Sequence, residues 1–125
     1  MIIHIGQIGV SLDTINPIDI SIKSANTVIG QIFAPTWDMV KAIKSKDPNY
    51  DWFDYENDYQ ELIGNRLMDD ANYNVFADTF VENFECTLMC YCSEGVNCHR
   101  TLVRAILAEF CAYSNIDFKY GSFIK

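Results

Sequence analysis

Positive charge is scarce in this sequence. Nine Lys and Arg stand against 17 Asp and Glu, a formal net charge of −8. So acidic a chain does not wrap duplex nucleic acid, which needs a basic surface. It can still take a small anion, which needs only a few local positive groups. Proline and glycine are also few, three and six of 125 residues, which excludes collagen-like and low-complexity chains. No apolar run approaches the ~18 residues of a membrane span. The opening Met1-Ile2-Ile3-His4 has no basic region ahead of a long apolar one, so no secretory leader is expected.

Hydrophobic residues are plentiful, half of the chain, with 14% aromatic. A chain of this length and composition buries a core without disulfides or metal, so one domain covering residues 1–125 is expected. The five cysteines are an odd number, and Cys86, Cys90, Cys92 and Cys98 fall within 13 residues. Free thiols in a reducing cytoplasm follow from that usage.

Periodicity then places the elements. Ile2 to Ile5 reads as a buried first strand ended by Gly6, and Ile18, Ile20 and Ile22 alternate with polar residues as a second. Ser24 to Gly30 reads as loop. Pro35 is placed to open a helix bearing Trp37, Val40, Ala42 and Ile43. Tyr55, Tyr59, Leu62 and Ile63 mark a second helix ending near Gly64-Asn65. Phe76, Phe80, Val81 and Phe84 mark a third. Cys86 to Cys92 reads as a central strand, Ser93 to Asn97 as a loop, residues 98–113 as the last helix, and Phe118 to Tyr120 as a final strand. The expected class is α/β, with a small mixed or mostly parallel sheet flanked by about four helices. Asp47, Asp51, Asp54, Glu56 and Asp58 lack the spacing of a calcium loop and read as a solvated face. His4, between Ile3 and Ile5, reads as a strand histidine with its bonds satisfied.

The stretch that carries chemistry is Leu88-Met89-Cys90-Tyr91-Cys92-Ser93-Glu94-Gly95-Val96-Asn97-Cys98-His99-Arg100-Thr101, a strand, a short loop and a helix start. Asn97 is a natural N-cap residue. The free N–H groups and dipole of that helix end, with the Arg100 guanidinium, suit a phosphate, a carboxylate or a developing oxyanion. The same field lowers a thiol pKa, so Cys92 or Cys98 is the candidate nucleophile and His99 its acid–base partner. Gly95, Val96 and Asn97 supply loop backbone to a ligand, Lys23 aims a charge past the second strand, and Tyr59 is a pocket-lining candidate. Cys90, Cys92, Cys98 and His99 are four conceivable metal ligands, but their spacing is not that of a zinc knuckle. No metal and no other cofactor are therefore expected. Cys86, Cys90 and Cys111 read as small core residues.

These residues resemble a known family. The run Leu88-Met89-Cys90-Tyr91-Cys92, then Cys98-His99-Arg100 and an apolar helix, is similar to the signature of the proteins catalogued as domain of unknown function 488. Ile20-Ser21-Ile22-Lys23, Phe33-Ala34-Pro35-Thr36-Trp37 with Lys44, and Asp54-Tyr55-Glu56-Asn57-Asp58-Tyr59-Gln60-Glu61-Leu62 resemble its other segments in order and spacing. The resemblance implies a compact α/β domain. It maps Cys92, Cys98, His99 and Arg100 onto the motif and Lys23 onto the family's basic position. Ile5-Gly6-Gln7-Ile8-Gly9 lacks the polar motif found after the first strand of longer members, a departure that favours binding over turnover. Small acidic members of this kind suit a bacterial or bacteriophage genome. Cys92 lies eight positions before Arg100, too far apart for the phosphate cradle of low-molecular-weight tyrosine phosphatases.

The function these observations imply is binding of a phosphorylated or nucleotide-like small molecule at the strand–loop–helix site, with cysteine-dependent hydrolase or transferase activity. The alternatives are a non-catalytic protein that sequesters a nucleotide or occupies a protein partner and, behind it, a Cys/His metal-binding protein. Neither duplex nucleic acid nor a membrane is an expected partner, and the residues do not specify an oligomeric state.

Overall fold

The computed structural model describes residues 1–125. The chain runs β1 (Ile2–Gln7), β2 (Pro17–Asp19), α1 (Val28–Phe33), α2 (Trp37–Lys44), α3 (Trp52–Leu67), α4 (Asp70–Thr79), β3 (Glu85–Cys90), α5 (His99–Tyr113) and β4 (Lys119–Ile124). The strands form one sheet in the order β2-β3-β1-β4, and every pairing is parallel. Parallel neighbours need long crossovers. Helices α1 to α4 supply the one between β2 and β3, and α5 carries the chain from β3 past β1 to β4. The α/β class holds, with an all-parallel sheet and five helices. No helix is long and apolar enough to cross a membrane.

β3 lies between β2 and β1, and Cys86, Thr87, Leu88, Met89 and Cys90 are all buried, as a strand covered on both faces requires. β2 is a three-residue edge strand whose first residue, Pro17, needs no donor there. The alternation Ile18, Ile20, Ile22 does not continue as strand. Asp19 ends it, because its carboxylate accepts from the N–H (2.9 Å) and hydroxyl (2.7 Å) of Ser21 and turns the chain.

The stretch from Ser24 to Gly30 is only partly loop. Thr27 accepts from the Gly30 N–H at 3.0 Å and starts α1. Gly30 is a helical residue selected for space: a Cβ there would meet the Asp19 carbonyl oxygen at 2.2 Å, so glycine lets α1 press onto β2. Pro35 lies outside α2. Thr36 is the cap, accepting from Met39 N–H at 3.2 Å, and Ala34 before the proline is extended. Two of the acids read as a solvated face cap α3 instead: Asp51 accepts from Asp54 N–H at 2.9 Å and Asp54 accepts from Asp51 N–H at 3.1 Å. α3 then runs through Gly64 to Leu67. α4 ends at Thr79, leaving Phe80 as its cap and Val81 and Phe84 outside it.

The core is rich in aromatic edges. Phe33 of α1 meets Phe76 and Phe80 at 6.0 and 5.9 Å, and Phe76 meets Phe110 of α5 at 4.9 Å. Such pairs add ~0.5–1.5 kcal/mol each beyond their buried area. α3 secures the carboxyl end of α1, whose last carbonyls lack helical partners. Arg66 donates to Gln31, Ile32 and Ala34 O at 3.0, 2.8 and 2.5 Å, and Tyr59 Oη donates to Phe33 O at 2.6 Å. This clamp sets the start of α2, one wall of the site described next. His4 is satisfied as expected, bonded to Glu85 at 2.6 Å and accepting from Ser122 N–H at 3.2 Å.

Candidate functional site

β3 stops at Cys90, two residues earlier than the sequence suggests, and the chain turns through Tyr91 to Asn97 before entering α5. The end of β2 and the residues after it, Ile20 to Lys23, lie alongside. Ligands of open parallel sheets bind beyond the carboxyl ends of the strands. Here that edge opens into a cavity of about 620 Å³. Its wall holds Cys90, Tyr91, Cys92, Val96, Asn97, Cys98 and His99 from the strand–loop–helix stretch, with Lys23 from the turn after β2. α2 and the segment after it contribute Trp37, Val40, Ile43, Lys44 and Lys46, and α3 contributes Trp52 and Tyr55. Three lysines line the cavity and no carboxylate does. In a chain with 17 acids against nine bases, that inverts the global charge locally. The aromatic wall is partly preassembled, since Trp52 stacks on Tyr55 at 4.7 Å and Lys23 Nζ lies 4.9 Å from the Tyr91 ring centre.

Three thiols converge on this wall. The sulfurs of Cys90, Cys92 and Cys98 all lie within 4.8 Å of one another. Cys90 and Cys98 Sγ are 3.0 Å apart, and the Cys92 N–H donates to Cys90 Sγ at 3.4 Å. Cys90 and Cys98 are buried and Cys92 is half-buried. Hydrogen bonds from the Cys90 and Cys98 thiols hold the Cys92 thiol well below its ordinary pKa, and the Arg100 and Lys44 charges act in the same direction. The reciprocal bonds to Cys92 and Cys98 raise the Cys90 thiol and keep it protonated. The most exposed thiol of the three is thus the one favoured as thiolate.

His99 is fixed beside this group. Its Nε2 is 2.7 Å from Ile20 O, a pure acceptor, so Nε2 carries the proton. Nδ1 is then a free acceptor 3.6 Å from Cys98 Sγ. Burial pushes the imidazole pKa down to about 4, so the ring is neutral and able to accept a proton. Tyr59 packs against it, ring centres 5.8 Å apart. Tyr59 itself lies off the cavity wall, fully buried with its hydroxyl on Phe33 O, and so supports the imidazole from behind.

Arg100 is placed differently from the expectation that it clamps an anion. It is 1% exposed and absent from the cavity wall. Its guanidinium donates to Gly6 O at 2.5 Å and Ser93 O at 3.1 Å, and its carbon lies 5.6 Å from the Phe123 ring centre. The charge therefore ties the end of β1 to the loop before α5. Asn97 is not the N-cap. Cys98 holds that position with extended φ −152° and ψ 148°, its thiol makes no capping bond because it is engaged with Cys90 and His99, and Asn97 joins the wall. Gly95 lies off the wall and makes the turn at φ +82°. Of the other sequence candidates, Lys23, Val96, Cys92, Cys98 and His99 share the cavity. Trp37, Trp52 and Lys46 had no reading as site residues, and Cys90 had one only as a conceivable metal ligand beside its reading as a core residue.

A protein-family model described as "Active DUF488-N3 subclade" matches residues 8–110, which takes in the cavity wall and the three-thiol group. Neither the curated proteins nor the solved structures yield a match to the chain.

Proposed function

From a chain that belongs to the DUF488 family, in a subclade described as active, we propose a cytoplasmic cysteine-dependent hydrolase or transferase that acts on a nucleotide or another phosphorylated, ring-bearing small molecule. One observation carries this reading: three sulfurs within 4.8 Å of one another open onto a cavity lined by three lysines, two tryptophans and no carboxylate. Lys23, Lys44 and Lys46 offer charge to phosphate, and Trp37 and Trp52 offer flat apolar surface to a base or sugar face. Cys92 is the nucleophile, since it combines exposure with the lowered pKa. His99 Nδ1 accepts a proton through Cys98, its neighbour at 3.6 Å. Arg100 acts as a positioning residue that holds the nucleophile loop through Ser93 O. A net charge of −8 is no obstacle, because the groups facing the ligand are local and basic.

The test is a thermal-shift screen of the reduced protein over nucleotides and phosphosugars, followed by turnover assays with each ligand found. A ligand specific to the native state raises Tm by mass action. The reading expects Cys92→Ser to keep that shift and lose turnover. A wild-type protein that binds but returns every ligand unchanged overturns the enzymatic part, and no shift with any anion overturns the whole.

A further inference from the structure

We infer that Cys90, Cys92 and Cys98 form a three-thiolate site for Zn²⁺, its fourth coordination position open to the cavity. A tetrahedral zinc holds thiolates at about 2.3 Å, which separates the sulfurs by about 3.8 Å. The present cluster brackets that value, from 3.0 Å for Cys90 and Cys98 to at most 4.8 Å across the group. The three sulfurs come from a strand end, a loop and a helix N-cap, so the triangle forms when Cys90 and Cys98 open by about 0.8 Å and Cys92 adjusts in its loop. The spacing argument against metal assumed ligands paired along the chain. The fold assembles them across an eight-residue interval instead.

The donor chemistry selects the ion. Three sulfurs with no carboxylate on the wall suit a thiophilic cation and give nothing to Mg²⁺ or Ca²⁺. Three thiolates and Zn²⁺ leave one net negative charge, which the neighbouring Arg100 and Lys44 oppose. Each thiol still protonated gives up its S–H proton as its sulfur–zinc bond forms. Cys98 has an acceptor for that proton in His99 Nδ1 at 3.6 Å, and the protons pass on to solvent with no change of oxidation state. His99 is not itself a ligand, because its ring nitrogens fall outside the cluster of close donors. Three protein ligands and one open position describe sites that exchange water or substrate, in contrast to closed four-ligand structural zinc. A zinc-bound Cys92 cannot also attack a substrate, so the loaded chain is the blocked form of the nucleophile.

The experiment is a titration of the reduced, metal-free full chain with Co²⁺ alone under argon, followed by Zn²⁺. The expected result is one Co²⁺ per chain, with thiolate-to-cobalt charge transfer and tetrahedral visible bands that stoichiometric Zn²⁺ erases. Cys86→Ser should leave those bands intact, whereas Cys92→Ser, a change at a half-buried loop position, should remove most of the charge-transfer intensity. In the unaltered protein Zn²⁺ should slow alkylation of Cys92 by iodoacetamide, and a chelator should restore it. No charge transfer at equimolar Co²⁺, bands that survive Cys92→Ser, or a Cys90–Cys98 disulfide that persists in reductant would overturn the site. Metal binding and the nucleotide screen are read separately, so either proposal can fail while the other stands.

Discussion

Cys86 and Cys90 stand four residues apart on β3 and therefore face the same side of the sheet, yet their surroundings are opposite. Cys86 is fully buried in the apolar core, and burial pushes its thiol up to about 12. Cys111 is a second core thiol, its Sγ 3.6 Å from the Met1 sulfur. One turn of sheet further on, roughly 13 Å along the strand, Cys90 meets two more thiols, a histidine and the cavity. The residue type is the same and the strand is the same. What differs is the distance from the carboxyl edge, where parallel strands release loops from both neighbours and polar groups collect. A cysteine below that edge behaves as a small hydrophobe, and a cysteine at it becomes chemistry.

The comparison can be broken at its anchor. If the carboxyl edge is held by Arg100, Arg100→Ala should cost roughly 4–5 kcal/mol in urea denaturation, because Gly6 O and Ser93 O lose a charged donor and a buried volume empties. A loss below about 1 kcal/mol would mean that the edge is held by something else. Both proposals about the thiols would then lose their rigid frame.

Alkaline pH sharpens the contrast from the core side. The Cys86 thiol pKa is raised from 9.0 to about 12 in the folded chain. Folding therefore favours the protonated form, so the contribution is fully present below pH ~9 and is lost as pH rises toward ~12, at most about 4 kcal/mol. Comparing stability against pH for the wild type and Cys86→Ala should show this extra alkaline loss in the wild type alone. Parallel curves would place Cys86 in a wetter setting than its burial indicates.

The smallest effect falls on the lysines. Lys44 is exposed at the end of α2, so Lys44→Ala should change stability by less than ~0.5 kcal/mol. The same change should weaken an anionic ligand about three- to tenfold, the range of ~1 kcal/mol. Isothermal titration with the best nucleotide from the screen separates the two effects.

These contrasts also mark what the residues alone reveal. The strand, loop and helix from Leu88 to Thr101 were legible because they are contiguous, each with its own period and the glycine between them. The opposite wall was not. Trp37, Lys44 and Trp52 belong to helices, and Lys46 to the turn after α2, whose docking depends on Arg66 and Tyr59 clamping the carbonyls at the end of α1, a contact no local pattern encodes. α1 itself was hidden because Gly30 reads as a breaker until Asp19 is seen pressing on it. The direction of Arg100 was equally unreadable. A one-residue shift of the cap from Asn97 to Cys98 rotates the first turn of α5 and helps send the guanidinium inward to Gly6.

Peptide mapping of the reduced, metal-free native protein after brief iodoacetamide treatment near neutral pH tests the central contrast most directly. The account predicts that Cys92 takes the first adduct, that saturating nucleotide slows it, and that Cys86 and Cys111 stay unmodified until the chain is unfolded. Adducts forming on Cys86 or Cys111 as fast as on Cys92, or a Cys92 rate indifferent to nucleotide, would contradict it.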